Sequence, residues 1–320
     1  MIQSKKYPDD PTVEHNNEMT LLSDFCRARG AKFIIFRDTF WMSRGLRFFS
    51  PWPSSKPLIL LSEDLKFMWR QGAFFLHYIS GNDKPFSPGY EVIVDDKNYG
   101  FGSISSSKRR HHIRWALKRC VVKKVSFDSV VDDAGLLIWD THRRQNRVFN
   151  SAVMAMWKNY FRLAESNPLF EAWVALVRGQ LAAMCIVIMS GDGAYIEMTF
   201  SRTHFLKFHP VDSLVFVVTQ QLILKDGVNF VSYGKRPIIG EAESLVSFKE
   251  SMGFKKIPVK ERIEISPFLK PILCGPLGTT VGNIADRYSD HSMYARIIAG
   301  VTNTLCSQNK YTARVQETGI

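Results

Sequence analysis

Residues 170–200 read FEAWVALVRGQLAAMCIVIMSGDGAYIEMTF. Three apolar runs, 170–177, 181–189 and 194–200, are rich in β-branched and aromatic residues. They are separated by Arg178-Gly179-Gln180 and by Ser190-Gly191-Asp192-Gly193. Both separators are hairpin sequences, because glycine accepts the left-handed backbone that a tight turn between twisted strands requires. The stretch therefore reads as a three-stranded antiparallel meander. Downstream, Pro210 with Asp212 and Ser213 opens a helical segment to Lys225, and Asp226-Gly227 closes it. A strand at 228–233, a helix at 241–252 stopped by Gly253, and a strand at 254–265 complete the order β-β-β-α-β-α-β. A right-handed crossover within one sheet makes the strand 228–233 parallel to 194–200.

Upstream, the pattern is a small α/β lobe over 19–100, preceded by a polar, flexible terminus at 1–18. Leu21, Leu22, Phe25 and Ala28 share one helical face before Gly30. Extended segments follow at 32–38, 46–49 and 58–61, then a helix at 63–71 and a strand at 73–80. The loop Gly81–Gly89 holds Asn82, Asp83, Pro85 and Pro88 and is the predicted internal boundary. A short strand, 90–94, lies beyond it. A helix at 105–120, with Ile113, Ala116, Leu117 and Cys120 on one face, opens a second domain over 101–267. It continues with a strand at 121–127 and helices at 128–147 and 151–165. Residues 268–320 read as a helical extension, with a helix near 292–305, and a polar tail.

Composition narrows the setting. The chain of 320 residues carries a formal net charge of +12, which favours an anionic partner. Five widely spaced cysteines form no CxxC pair, excluding a zinc knuckle or a disulfide framework and fitting a reducing cytoplasm. The longest uncharged apolar run, Leu181–Met189, is about half the length of a membrane-spanning helix, and the first residues lack a signal-peptide core. A soluble, cytoplasmic protein is expected. No H-x-H or HExxH spacing predicts a metal site, and no G-x-S-x-G supports a serine hydrolase.

The order of elements after Leu169 resembles the core of the GNAT acyltransferases, and two segments are similar to the FemAB-like branch. One is SKRRHHIRWALK at 107–118, similar to the basic R-x-x-I-R-x-A helix that opens the second lobe of those proteins. The other is LVSFKESMGF at 245–254, similar to their F-K-x-x-x-G-F segment. The resemblance implies a mixed, twisted sheet with a partial GNAT-like N-terminal lobe. It also implies N-acyl transfer to a primary amine on a small molecule, with acyl-CoA or acetyl-CoA as donor. The alternatives are an aminoacyl-tRNA donor, as in several proteins of that branch, and a catalytically silent GNAT-fold module that binds an anionic ligand.

In the GNAT arrangement the third meander strand parts from its parallel neighbour where donor and amine meet. Strict alternation puts Tyr195, Glu197 and Thr199 on one face of that strand. Glu197 is then the candidate general base and Tyr233 the acid that protonates the leaving group, and the resemblance implies that Lys249 is a cation near the reacting carbonyl or the donor phosphate, with Tyr195 a candidate for binding substrate. Tyr195 is the next residue on the same face. The glycine-rich pyrophosphate loop of acetyl-CoA enzymes is replaced by SRTHFLKFHP at 201–210, which has no glycine. Arg202, Lys207 and His209, with Ser213 at the helix start, are the side-chain candidates for holding a donor. Eight Lys/Arg and no acid fall between 101 and 124. Arg110 and Arg114 in that run are candidates for binding substrate, including a nucleotide-linked one or tRNA.

Overall fold

The computed structural model describes residues 13–82, 86–145, 147, 149–236, 243–274, 276–287, 295, 297–305 and 308. In chain order the elements are α1 (Val13–Ala28), β1 (Phe33–Phe36), β2 (Thr39–Ser43), β3 (Phe48–Trp52), α2 (Ser62–Arg70), β4 (Phe75–Ile79) and β5 (Ser87–Val94). Next come α3 (Ser107–Leu117), β6 (Cys120–Val125), α4 (Val131–Arg144), α5 (Ser151–Glu165), β7 (Phe170–Val177), β8 (Gln180–Ser190) and β9 (Gly193–Ser201). Then follow α6 (Pro210–Ile223), β10 (Phe230–Lys235), α7 (Glu243–Ser251), β11 (Lys255–Ile265), α8 (Lys270–Cys274) and α9 (Pro276–Arg287). No helix among the described residues is long and apolar enough to cross a membrane.

The strands form one mixed sheet in the order β1-β2-β3-β4-β11-β5-β10-β9-β8-β7-β6. The meander β7-β8-β9 is antiparallel, and β10 runs parallel to β9, as the crossover through α6 requires. Arg178 and Gly179 both take positive φ, 50° and 76°, in the tight turn between β7 and β8. Leu181 to Ile188 of β8 are buried without a break because helices cover both faces of the sheet there. On one face α3 and α6 contribute Ile113, Ala116, Leu214 and Val218 against Cys185, Val187, Ile196 and Val231. On the other, α1, α4 and α5 place Phe25, Leu137, Ile138 and Phe161 against Val174, Ile186 and Phe200.

The N-terminal strands differ from the sequence reading. Residues 32–38 do not form one strand: the chain turns at Arg37, with φ 51°, and returns as β2. The strand at 46–49 lies further on and runs through Pro51, which pairs with Trp41 of β2. Pairing of β3 with β4 stops at Phe49, so the missing proline N–H leaves no ladder bond unmade on that side. Residues 58–61 make only a single bridge, Leu58 to Ser80. Residues 83–85 of the predicted boundary 81–89 lie outside the described residues; β5 begins within it at Ser87, and β11 pairs with both β4 and β5, so one sheet joins the two sides. In the extension, Val301, Ile297 and Leu269 close a small core over Phe48, Phe75 and Ile263.

Polar groups line the middle of the sheet. The Glu91 carboxylate accepts from Ser55 Oγ at 2.7 Å and Ser232 Oγ at 2.6 Å, and Lys235 Nζ donates to the Ser54 carbonyl at 3.1 Å. Desolvation pulls the Lys235 pKa down to about 8, against the opposing pull of Glu261 and Glu91. An unfolded lysine titrates near ~10.4, so above pH 8 the native state has shed a proton that the unfolded chain retains. Stability contributed by this group therefore rises with pH between about 8 and ~10.4. Urea unfolding at pH 7.5, 8.5 and 9.5 is expected to show that rise relative to Lys235→Met. Parallel pH curves for the two proteins would show the ammonium to be solvated.

Candidate functional site

β9 and β10 pair at only three positions, Gly193 with Phe230, Ala194 with Val231 and Tyr195 with Ser232. β9 continues to Ser201 and β10 to Lys235, so beyond Tyr195 the parallel strands part. The ladder from β10 to β5 also shifts between Ser232 and Lys235, where Gly234 takes φ 90°. Across the gap the Tyr233 hydroxyl lies 3.2 Å from Thr199 Oγ1. Lys249, buried on α7, holds its Nζ 5.3 Å from the centre of the Tyr233 ring. Tyr233 and Thr199 line a cavity of about 330 Å³ at the N-terminus of α6, with Arg109, Arg144, His209 and Phe248. Tyr233 and Lys249 are thus brought together, although Lys249 does not itself line the cavity.

Glu197 is not brought to them. The β8–β9 ladder pairs Val187 with Ile196 and Ile186 with Met198, leaving Glu197 as an extra residue in a bulge. The bulge reverses the alternation, so Thr199 falls on the opposite face from Tyr195. Glu197 instead lines a cavity of about 320 Å³ with Leu22, Phe25 and Tyr160, and its carboxylate lies 3.3 Å from Arg44. Tyr195 is buried on that same side, with its ring centre 5.3 Å from that of Trp52 and 5.7 Å from that of Phe230. The shared face expected for Tyr195, Glu197 and Thr199 is corrected by this one inserted residue.

The other sequence candidates divide. Arg110 donates to the carbonyls of Ile104 and Ser105, closing the turn before α3. Arg114 is exposed, its guanidinium 4.9 Å from the centre of the Phe101 ring. Arg202 and Lys207 lie over Phe205 and Phe208 of their own loop, at 5.6 and 5.4 Å, and do not line the cavity. Ser213 is fully buried and its hydroxyl donates to the Pro210 carbonyl at 3.0 Å, so it is a structural residue and not a donor contact. Of that group His209 alone lines the cavity.

Its surroundings went unread in the sequence. Asp212, buried in the first turn of α6, forms an ion pair with Arg109 and lies 3.2 Å from His209 Nδ1. Arg109 Nε also donates to Ser251 Oγ at 3.0 Å, and its guanidinium sits 4.8 Å from the centre of the Phe248 ring. One arginine therefore joins the two motif segments, which lie about 140 residues apart, at one wall of the cavity. Arg144 donates to the Ser201 carbonyl at 2.8 Å and to its hydroxyl at 2.9 Å, fixing the end of β9. His112 stacks on His209 with centroids 3.8 Å apart and planes at 14°. Desolvation, then the neighbouring His209, holds the His112 pKa below the ordinary imidazole value.

His112, His209 and Asp212 each bring a potential ligand atom within 4.8 Å of the others. Imidazole ligands bind through lone pairs in the ring plane, and two stacked, nearly parallel planes do not share a point for one ion. Asp212 is also already paired with a guanidinium. The arrangement is that of a carboxylate shared by a guanidinium and an imidazole rather than of a metal centre.

The glycine-free loop tests the fit to a CoA pyrophosphate. In this chain the positive end of α6 already faces the buried Asp212 carboxylate, and the residue before the helix is His209 in a left-handed conformation, φ 52°. A pyrophosphate in that turn would meet a buried anion and a side chain where bare backbone is needed. The residues present do not fit that group there.

A mixed sheet whose strands part at a right-handed crossover, with a cavity at the N-terminus of the crossover helix, is the GNAT fold. Neither a family model nor a curated protein matches the sequence. Among solved structures the chain is similar to FemX, with a TM-score of 0.59 and 11% identity over 83% of this chain and 99% of that one. It is also similar to the C-terminal domain of a putative lysylphosphatidylglycerol synthetase from Agrobacterium fabrum, with a TM-score of 0.52 and 14% identity over 84% and 96%. At these identities the likeness is one of fold. The chain has the GNAT fold, and its structural relatives include FemX.

Proposed function

We propose that the protein transfers an acyl group from an activated ester to a primary amine in the cavity where β9 and β10 part. The observation that carries this reading is the convergence of Tyr233 and the Asp212–His209 pair on one cavity, with Lys249 against the Tyr233 ring. With the Asp212 carboxylate 3.2 Å from its Nδ1, His209 takes the proton of the attacking ammonium at Nε2. The amine nitrogen bonds to the acyl carbon, giving a tetrahedral oxyanion that backbone N–H groups at the parting stabilise, while the Lys249 charge against the Tyr233 ring favours the phenol's giving up its proton. The carbon–oxygen bond of the ester then breaks, the Tyr233 hydroxyl supplies the proton to the leaving oxygen, and the second proton of the amine nitrogen passes to the Tyr233 oxygen, leaving a neutral amide and restoring the phenol.

The poor fit of a CoA pyrophosphate favours an aminoacyl ester on tRNA as donor. Phosphates of such a donor would be met by the exposed Lys108, Arg114, Lys118, Arg119 and Lys123 on and after α3. The test incubates the protein with a panel of primary amines and either radiolabelled aminoacyl-tRNA or acetyl-CoA. Labelled amide formed from aminoacyl-tRNA alone is expected. Amine-dependent thiol release from acetyl-CoA would replace the donor, and no product from either would leave a silent binding module.

A further inference from the structure

A third chamber, of about 580 Å³, lies on the α1 side of the sheet, at the paired end of β9 and β10 rather than at their parting. Its walls include the rings of Phe40, Trp52, Tyr195 and Phe230. Trp52, Tyr195 and Phe230 are packed in series, at 5.3 and 5.7 Å between centroids. The Trp52 indole N–H is buried without a hydrogen-bond partner among the described residues. Among the described lining residues stand three carboxylates, Glu18, Asp38 and Asp192, against the single cation Lys56. Two of them are fixed in place. Glu18 accepts from the Ser190 hydroxyl and from the Gly191 N–H at 3.0 Å, and Asp192 accepts from Asn229 Nδ2 at 2.9 Å.

This charge runs against the rest of the molecule. The chain carries +12 overall, and the neighbouring cavity, which shares Phe40 and Trp52, holds Arg29 and Arg44. Aromatic faces attract cations through their quadrupole, and carboxylates at the mouth of a low-dielectric chamber add direct Coulomb attraction. The volume suits a small organic molecule. We propose that this chamber binds an organic cation, an ammonium carried on an aromatic or apolar body. The body stacks among the four rings and the ammonium faces Asp38 and Asp192. The inference stands apart from the transfer reading, since binding needs no donor.

The experiment is calorimetric titration of the full chain, without donor, using three probes that share a phenylethyl body: 2-phenylethylammonium, 2-phenylethanol and 3-phenylpropanoate. The ammonium is expected to bind saturably and at least about tenfold tighter than the alcohol, with no binding of the carboxylate. Asp38→Asn combined with Asp192→Asn should erase that preference. Lys56→Gln, at the exposed rim, should strengthen ammonium binding and covers the case in which the double variant fails to fold. Equal affinity for ammonium and alcohol, tight carboxylate binding, no ammonium binding, or an unchanged preference in the folded double variant would each overturn the proposal.

Discussion

Tyr233→Phe should lower kcat for acyl transfer by about 10²-fold or more and leave the fold intact. The ring packs at 6.3 Å from Phe248 and 5.5 Å from Phe254, measured between centroids, and phenylalanine reproduces that packing. What the variant lacks is the hydroxyl beside Thr199. Without it the leaving oxygen departs unprotonated, so the loss should fall on kcat more than on KM. Steady-state kinetics with the donor that the transfer assay identifies, beside a thermal melt, makes the check. Wild-type kcat in the variant would remove Tyr233 from the mechanism.

Gly253→Ala should destabilise the protein by about 2–4 kcal/mol, the largest stability effect expected of a single methyl group here. Gly253 takes φ 85° directly after α7, a conformation in which a side chain is strained. A Cβ would also stand 2.7 Å from the Ser103 carbonyl oxygen, which is backbone and has little room to give. The glycine of the F-K-x-x-x-G-F segment is thus required by geometry, because it lets α7 end against the chain that leads into α3. Urea unfolding of both proteins measures the difference. A loss below about 1 kcal/mol would mean that the Ser103 segment moves aside freely.

The meander and the crossover were legible because their signals are local. Gly179 and Gly191 mark the turns, and the unbroken apolar run of β8 reports burial on both faces. Two features gave no such sign. Arg37 turns the chain between β1 and β2 in a left-handed conformation without a glycine or asparagine to announce it. The bulge at Glu197 is likewise unmarked by residue type, and it reverses every assignment of face made by alternation beyond it. The sequence singles out Tyr233 because it closes the expected strand 228–233, which runs on to Lys235 in β10, and Lys249 because it sits inside a motif. Asp212 and Arg109 are 103 residues apart. Their pairing depends on how α3 and α6 pack, which no local pattern encodes, although Arg109 lies within the basic segment already singled out.

The account therefore turns on which face of the sheet holds the chemistry. Single-turnover transfer rates for His209→Gln and Glu197→Gln, measured side by side with the wild type, decide it. Glu197 touches Arg44 and lines a separate cavity, so Glu197→Gln should stay within about threefold of the wild type. His209→Gln should fall by about 10²-fold or more, because it removes the base that lies against Asp212. A collapse in the Glu197 variant with near-normal transfer in the His209 variant would contradict the account and move the reaction to the α1 side of the sheet.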